Sequence, residues 1–570
     1  MRLAFVALLG WISLAGDDAP LRTLDSSFPM QPVAEIADWP ERRAEIRLRI
    51  LVAAGLHPMP QRSPLHAIVH GKIDRPEYSV ERVILESFPG HFVTGSLYRP
   101  TAGSGKRPAL LSPHGHWTKG RFHDHGEARV KQEIEKKGER FLRAGRHPIQ
   151  ARCVQLARMG CIVFVYDMEG YADSVQLEHR AGPRGPGLLF SPQAELHGQT
   201  IFGLQTWNSI RALDFVSSLP DVDTARIGVT GASGGGTQTM VLAAVDDRVA
   251  ASFPAVMVSE AMQGGCTCEN ASHLRISQGN IDIAAASAPS PLGLIAADDW
   301  TKELETKGHP DLKSLYERLE AGNAYEAHFH TQFRHNYNAV NRQHLYHFVN
   351  RHFRLGLSEP IEERDFQPLD PDSEASVWTE AHPKPTGDQV GEAHERKLLA
   401  DWRVASAAAL AALSESEQRT VITEGIRVLI GAAPIAESAE SEAILQLDSI
   451  ELPDSAALIT SGNGKHAYQR ALCYTYGYNP TPLARAVQQI MERAGKYQRV
   501  HLVASGAEIG TAALLAELLL GDRGETRKIH VKDFDFSQVD RLDHAMMLPG
   551  IARYGGMDAL WKLHRVRAQK

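Results

Sequence analysis

Short apolar runs alternate with helical patterns along the larger, N-terminal part of the chain. The runs lie at residues 109–111, 161–166, 227–230, 250–257, 292–297 and 325–329, and each has the length of a buried strand. Before the third run, residues 204–215 place Leu204, Trp207, Ile210 and Leu213 on one stripe of a helix. Strands that alternate with helices predict an α/β fold with a doubly wound, mostly parallel sheet. Sites in such sheets form at the carboxyl ends of the strands.

Other patterns precede and follow this alternation. Residues 37–56 predict an amphipathic helix, and residues 82–98 predict a β-hairpin. Residues 357–400 mix prolines with acidic side chains, which predicts a linker. Beyond the linker, segments 456–464, 471–478 and 500–510 echo segments 109–116, 163–171 and 225–237 in the same order. The sequence therefore predicts a second, incomplete α/β half-domain at residues 401–570.

Composition and charge fit a globular protein: 43% of the 570 residues are hydrophobic and 23% are charged. The net charge of −7 is mild for this length and no basic patch dominates, which argues against a nucleic-acid partner. Met1-Arg2, an apolar run at residues 3–14 and the small residues Ser13 and Ala15 predict a signal peptide over residues 1–15. We therefore expect a secreted or periplasmic protein. The alternative is a buried N-terminal helix, and the run is too short to span a membrane comfortably.

A glycine-rich turn separates the third apolar run from a helical pattern. Gly231-Ala232-Ser233-Gly234-Gly235 matches G-x-S-x-G. The order strand, sharp turn, helix is the context of a nucleophile elbow, in which the serine backbone is strained and its neighbours must be small. The alternative is an ordinary glycine-rich turn. In the elbow interpretation Ser233 is the nucleophile of an α/β-hydrolase, and the N-terminus of the following helix faces the developing negative charge.

A serine hydroxyl needs a base and an acid, which α/β-hydrolases supply in the chain order serine, acid, histidine. The fifth apolar run is followed by Asp298 and Asp299, and a shift of one residue decides which of them points inward. We assign the acid to Asp299 and keep Asp298 as the alternative, although either could instead cap a helix. His335 lies in a polar loop beyond the sixth run and is the candidate base. His328 and His330 share one face of that run, so we expect them to pack against the sheet.

The oxyanion hole needs two backbone N–H donors. Gly234, directly after the nucleophile, is one candidate, and His116, in the loop after the first apolar run, is the other. Trp117 follows His116 and Trp300 follows Asp299. Both tryptophans, together with Asp298, are candidate substrate-lining residues.

Neither a metal nor another cofactor is predicted. His114, His116, His123 and His125 lie close together in the sequence, but they lack the helical spacing of known metal motifs. Cys266-Thr267-Cys268 alone supplies too few ligands for a metal site and could contribute to a disulfide in an oxidising compartment.

These residues together resemble the secreted bacterial acetylxylan-esterase-like α/β-hydrolases. The resemblance rests on segments 114–117, 166–168, 203–208, 231–238, 299–301 and 335–338. It covers about residues 80–355 well and the rest loosely, and several such chains carry a second, incomplete hydrolase-like half. It implies Ser233 as nucleophile, Asp299 as acid and His335 as base. It also implies hydrolysis of carbohydrate esters, most simply O-acetyl groups.

The predicted organisation has five parts. They are a signal peptide at 1–15, an N-terminal extension at 16–80, a catalytic α/β-hydrolase domain at 81–356, a linker at 357–400 and a degenerate hydrolase-like domain at 401–570. We expect a serine ester hydrolase whose partner is a small-molecule or polysaccharide ester.

Two other functions fit parts of the sequence. A prolyl-oligopeptidase-like serine peptidase shares the fold and the elbow, but such enzymes usually carry a β-propeller before the hydrolase unit. Only about 80 residues precede the unit here. A non-catalytic carbohydrate-binding or scaffold protein would fit the degenerate half. The complete set of Ser233, Asp299 and His335 argues against that function for the first half.

Overall fold

The computed structural model describes residues 6–12, 21–23, 26–117, 119–179, 187–432, 440–450, 452, 476–531 and 534–568. The strands in these ranges are β1 Val6–Ile12, β2 Ile68–Asp74, β3 Tyr78–Phe88, β4 His91–Pro100, β5 Arg107–Leu111, β6 Ile162–Tyr166, β7 Val222–Ala232, β8 Val249–Ala255, β9 Leu292–Asp298, β10 Tyr325–Arg334, β11 Glu440–Ile450, β12 Tyr497–Ser505 and β13 Gly524–His530. The helices are α1 Trp39–Ala53, α2 Glu127–Glu135, α3 Leu142–Arg146, α4 Pro148–Arg158, α5 Pro192–Leu196, α6 Ile201–Ser218, α7 Gly234–Val245, α8 Asn280–Ala285, α9 His309–Arg318, α10 Ala339–His352, α11 Gly391–Ala411, α12 Glu415–Ile430, α13 Pro482–Ala494, α14 Ala507–Leu520 and α15 Gly556–Ala568.

The larger sheet has nine strands in the order β10-β9-β8-β7-β5-β6-β4-β3-β2. The six strands from β10 to β6 are parallel to their neighbours, whereas β4, β3 and β2 are added antiparallel. The predicted α/β fold with a mostly parallel sheet is confirmed. Because β5 lies between β6 and β7, the strand order reverses there, and such a switch point is where α/β sheets place their sites.

Helices cover both faces of the parallel strands, which explains why the strands are apolar runs without polar alternation. Every residue of β6 is buried. Ile162, Phe164 and Tyr166 belong to the apolar cluster that includes α6 and α7, and Val163 and Val165 belong to the cluster that includes α4 and α10. The predicted helical stripe lies on α6, where Leu204, Trp207, Ile210 and Leu213 are fully buried.

The second sheet has four parallel strands in the order β1-β11-β12-β13. Together with α12, α13 and α14 it forms a separate apolar cluster, and we call this sheet and these helices the second unit. The nine-stranded sheet with its helices is the first, larger unit. Strand β12, Gly506 (φ 133°) and α14 repeat the order strand, turn, helix. The alignment of segment 500–510 with the elbow predicts Glu508 at the position of Ser233. In the structure Glu508 lies in the first turn of α14, and Gly506 takes the position directly before the helix that Ser233 has before α7. Segment 456–464 and residues 471–475 lie outside the described residues.

Hydrogen bonds between loops join the second unit to the larger one. His273 N donates to Tyr476 O (2.8 Å) and Arg275 N donates to Gly477 O (2.8 Å). The hydroxyl of Tyr478 donates to Asn270 Oδ1 (3.0 Å). The segment between β8 and α8 is thus held from the side of the second unit.

The domain boundaries and the signal peptide stay predictions. Val6–Ile12, inside the predicted signal peptide, forms β1 beside β11. Helix α11 runs across the predicted boundary at 400/401, because Trp402 is fully buried in the apolar cluster of the nine-stranded unit. Within the described ranges, no helix combines the length and the apolar character needed to cross a membrane.

Candidate active site

Ser233 stands at a strained turn between β7 and α7. Its backbone has φ 60° and ψ −127°, a left-handed conformation that costs about 1–3 kcal/mol for a residue with a side chain. Neighbouring backbone leaves no room for side chains around it. A Cβ added at Gly231 or at Gly235 would lie 2.4 Å from Pro113 O. The glycines of the motif are therefore required by the close approach of the loop after β5.

Asp299 and His335 form a hydrogen-bonded pair at the ends of β9 and β10. His335 Nδ1 lies 2.7 Å from Asp299 Oδ2, while Asp299 Oδ1 accepts from the backbone N (2.7 Å) and the hydroxyl (2.6 Å) of Thr301. The Asp299 side chain is 5% exposed, whereas Asp298 is exposed to solvent. A carboxylate held in this way fixes the imidazole with its proton on Nδ1, which leaves Nε2 as the accepting nitrogen.

A second contact ties the loop that carries His335 to β7, the strand that precedes Ser233. The hydroxyl of Tyr337, two residues after His335, lies 2.8 Å from Thr230 Oγ1, three residues before Ser233. Since β7 to β10 are parallel and adjacent, their carboxyl ends lie at one edge of the sheet. Ser233 and His335 are thus on the same side of the molecule.

A buried ion-pair cluster also contacts the loop that carries His335. Arg342, on α10, is fully buried and makes two bonds to Glu139 (both 2.9 Å) and two to Glu363 (2.6 and 2.7 Å). It also donates to Tyr337 O at 2.9 Å. Although burial alone lowers the pKa of an arginine, the two carboxylates hold the pKa of Arg342 well above its usual value. The guanidinium therefore stays charged and anchors the loop that carries His335.

The loop after β5, residues 112–117, passes directly beside Ser233, and we call it the oxyanion loop because it carries His116, a predicted residue of the oxyanion hole. A Cβ added at Gly115 would lie 2.9 Å from Ser233 Cβ and 2.6 Å from Trp117 Cζ3. A Cβ added at Gly234 would lie 2.8 Å from His116 Cε1. The two residues assigned to the oxyanion hole, Gly234 and His116, are therefore neighbours in space.

The predicted substrate-lining tryptophans both lie next to this arrangement. The ring centroid of Trp300 is 4.6 Å from that of His335, and Trp117 packs beside Gly115 as described. Both side chains are half-buried. They therefore border the elbow and the histidine loop.

A buried polar network fixes the oxyanion loop, and sequence analysis missed it. Met168 N donates to Nε2 of the fully buried His114 (3.2 Å), and Arg121 pairs with Asp167 and with Asp173. Burial raises the pKa of Asp167, but Arg121 and His114 outweigh it and hold that pKa below its usual value. No periodic pattern in the sequence marks this network, because its members come from separate loops.

The ring of His116 has contacts that its sequence position did not predict. His116 Nε2 lies 3.0 Å from Cys268 Sγ, and His179 Nε2 lies 3.3 Å from Cys266 Sγ. The ligand-capable atoms of these four side chains all lie within 4.8 Å of one another. The fold thus places two histidines beside the cysteine pair. They are the further ligand groups that the two cysteines lack by themselves. None of the four cysteines in the described ranges forms a disulfide.

Comparison with known proteins supports this interpretation of the fold. A family model described as acetyl xylan esterase (AXE1) matches residues 144–258, which include Ser233 but neither Asp299 nor His335. The nine-stranded unit has an α/β-hydrolase fold, and residues 144–258 are similar to the acetyl xylan esterases.

The relatives that the chain is similar to match only parts of it. YtaP of Bacillus subtilis (strain 168), a hydrolase by name, is 29% identical over 212 residues, which are 36% of this chain and 62% of YtaP. A 4-O-methyl-glucuronoyl methylesterase of Hypocrea jecorina (strain QM6a) is 29% identical over 131 residues, 22% of this chain and 26% of that protein. The chain thus spans less than two thirds of either relative. Among solved structures, the methylesterase BT1017 is similar with a TM-score of 0.46 and 26% identity, over 66% of this chain and 75% of that one.

Proposed function

We propose that this protein is a serine carboxylic-ester hydrolase that removes acyl groups, most simply acetyl groups, from carbohydrates. The supporting observation is the 2.7 Å bond from His335 to Asp299, in a loop that Tyr337 ties to the strand carrying Ser233. Nucleophile, acid and base then follow β7, β9 and β10, which is the chain order of an α/β-hydrolase triad.

In the proposed reaction, Ser233 Oγ attacks the ester carbonyl carbon while its proton passes to His335 Nε2. Asp299 stabilises the imidazolium that forms. The oxyanion accepts hydrogen bonds from the backbone amides of Gly234 and His116. His335 then gives the proton to the departing sugar hydroxyl, which leaves an acyl-serine. A water molecule, deprotonated by His335, releases the acid and restores Ser233.

The first test is Ser233→Ala. We expect turnover of p-nitrophenyl acetate to fall to background, while circular dichroism and the denaturation midpoint stay close to those of the wild type. A fluorophosphonate probe should label the wild type and not the variant. Full esterase activity in Ser233→Ala would reject the proposal. Unlabelled, inactive wild-type protein would instead favour a non-catalytic binding role.

The substrate is tested with a panel of esters. Acetylated xylan, a methyl ester of glucuronic acid and simple acetates separate the two activities named among the similar proteins, deacetylation and methyl-ester hydrolysis. We expect the highest kcat/KM on an acetylated carbohydrate. A preference for the methyl ester would keep the serine mechanism and replace the acyl-group assignment.

We also propose that the protein is exported, on the basis of the signal peptide predicted at residues 1–15. N-terminal sequencing of the protein recovered outside the cytoplasm should begin close to residue 16. An intact Met1 in exported protein would contradict cleavage.

A further inference from the structure

We propose that His116, His179, Cys266 and Cys268 bind a zinc ion through two imidazole nitrogens and two thiolates. Tetrahedral zinc with bonds of about 2.3 Å to sulfur and about 2.0 Å to nitrogen needs ligand atoms about 3.3–3.8 Å apart. Here they are 3.0 Å (His116 to Cys268) and 3.3 Å (His179 to Cys266) apart, and no pair exceeds 4.8 Å. The two nitrogen–sulfur distances would have to lengthen by a few tenths of an ångström, and any pair near the 4.8 Å limit would have to shorten by about 1 Å, to complete the coordination geometry.

The surroundings of His179 orient it as a ligand. Its Nδ1 lies 2.7 Å from the backbone oxygen of Glu169, so Nδ1 carries the proton and Nε2 presents its lone pair to the sulfurs. Glu169 is itself held, since its carboxylate accepts from His91 (2.9 Å) and Asn208 (2.7 Å). A backbone carbonyl on the far nitrogen is the usual partner of a metal-binding histidine.

The cysteine segment, residues 264–275, is held in place by the second unit. Its bonds to the second unit were described above, and Arg275 additionally donates to Glu269 O (3.0 Å) within the segment. Cys266 and Cys268 are each only 1% exposed. The two sulfurs are thus held away from solvent, facing the two imidazoles.

The contacts of Cys266 and Cys268 set them apart from another buried cysteine, Cys153. Each of the two sulfurs lies within 3.3 Å of an imidazole nitrogen, whereas the sulfur of Cys153 lies 3.9 Å from the Ser112 hydroxyl. Thiolate and imidazole are the ligand types that zinc prefers in structural sites.

Four protein ligands make a closed site, which is typical of structural and not of catalytic zinc. The ion would fasten the oxyanion loop, through His116, to the cysteine segment and to the loop after β6. Metal binding does not depend on the proposed esterase function. Only the inference that this link helps to position the oxyanion hole rests on the proposed esterase function.

The experiment measures metal in the full-length protein, purified without chelators or metal-affinity resins, by inductively coupled plasma mass spectrometry. We expect about one zinc per chain in the wild type and less than about one tenth in Cys266→Ser/Cys268→Ser. Cys161→Ala is the matched control, since Cys161 is a buried cysteine outside the cluster, and it should keep the metal. Replacement of zinc by cobalt(II) should give the visible absorption of tetrahedral thiolate coordination.

Three results would overturn the proposal. They are wild-type protein that contains no zinc and takes none up from solution, a Cys266–Cys268 disulfide in freshly purified protein, and undiminished zinc in the double variant. The wild-type measurements decide even if the double variant fails to fold. Ser233→Ala should lose esterase activity but keep its zinc, so failure of the metal site and failure of the proposed function give different results.

Discussion

A buried carboxyl group at the junction of the two units offers a quantitative test of the structure. Glu195, at the end of α5, is 6% exposed, and its carboxylate accepts one hydrogen bond, from Ser272 Oγ at 2.9 Å. Its backbone oxygen accepts from Gly550 N in the second unit (2.8 Å). Because burial penalises the charged form, the pKa of Glu195 rises from 4.5 to about 7.

The sign of the effect follows from proton binding. Between pH 4.5 and 7 the folded chain holds a proton on Glu195 that the unfolded chain releases, so the free energy of unfolding falls as pH rises through this window. The difference between about 7 and 4.5 corresponds to ~3 kcal/mol, at 1.36 kcal/mol for each pKa unit. Glu195→Gln has nearly the same shape and no charge. It should therefore match the wild type near pH 4.5 and exceed its stability by up to ~3 kcal/mol at pH 8.

Urea denaturation followed by tryptophan fluorescence at pH 5 and pH 8 measures this difference. Taking the variant minus the wild type at each pH removes the contribution of all other titrating groups. Glu305→Gln, which removes a carboxylate exposed on the surface, is the control and should give the same difference at both pH values. If Glu195→Gln also gives the same difference at both, then Glu195 does not titrate as its burial implies and the reasoning is refuted.

Three further predictions test the candidate site and its supports. Asp299→Asn should lower kcat on p-nitrophenyl acetate by ~10³–10⁴-fold, since the amide no longer favours the correct imidazole tautomer, and Asp298→Asn should stay within about twofold. A larger loss from Asp298→Asn would reverse the acid assignment. Arg342→Met should cost about 3–5 kcal/mol in urea denaturation, because it leaves buried carboxylates unpaired, and an unchanged midpoint would contradict this. Gly115→Ala should lower kcat with little change in circular dichroism, because its methyl group would lie 2.9 Å from Ser233 Cβ, and wild-type kcat would show that the oxyanion loop has room to spare.

The sheet could be predicted because its signals are local. Buried strands such as β6 carry uninterrupted apolar residues, and the elbow combines a strand, glycines and a helix within a few positions. The choice between Asp298 and Asp299 could not be made in this way, because one residue of register decides it. In the structure, Asp299 rather than Asp298 contacts His335 and Thr301. The assignment of the complete triad stays a prediction.

The features that sequence analysis missed are all long-range. His116, His179 and the Cys266-Thr267-Cys268 pair come from three loops separated by tens of residues, so no motif spacing connects them. Arg121, which follows β5, meets Asp167 and Asp173, which follow β6, because these two strands pair side by side. Such polar clusters depend on which strands become neighbours, and periodicity carries no information about that.

The contacts between the second unit and residues 270–275 have a practical consequence for anyone who shortens this chain. Tyr476, Gly477 and Tyr478 support the segment that carries Cys266 and Cys268, although they lie some two hundred positions downstream of it. A fragment that stops before residue 401 keeps Ser233, Asp299 and His335 but removes that brace. Expression trials aimed at a minimal enzyme should therefore retain the C-terminal half.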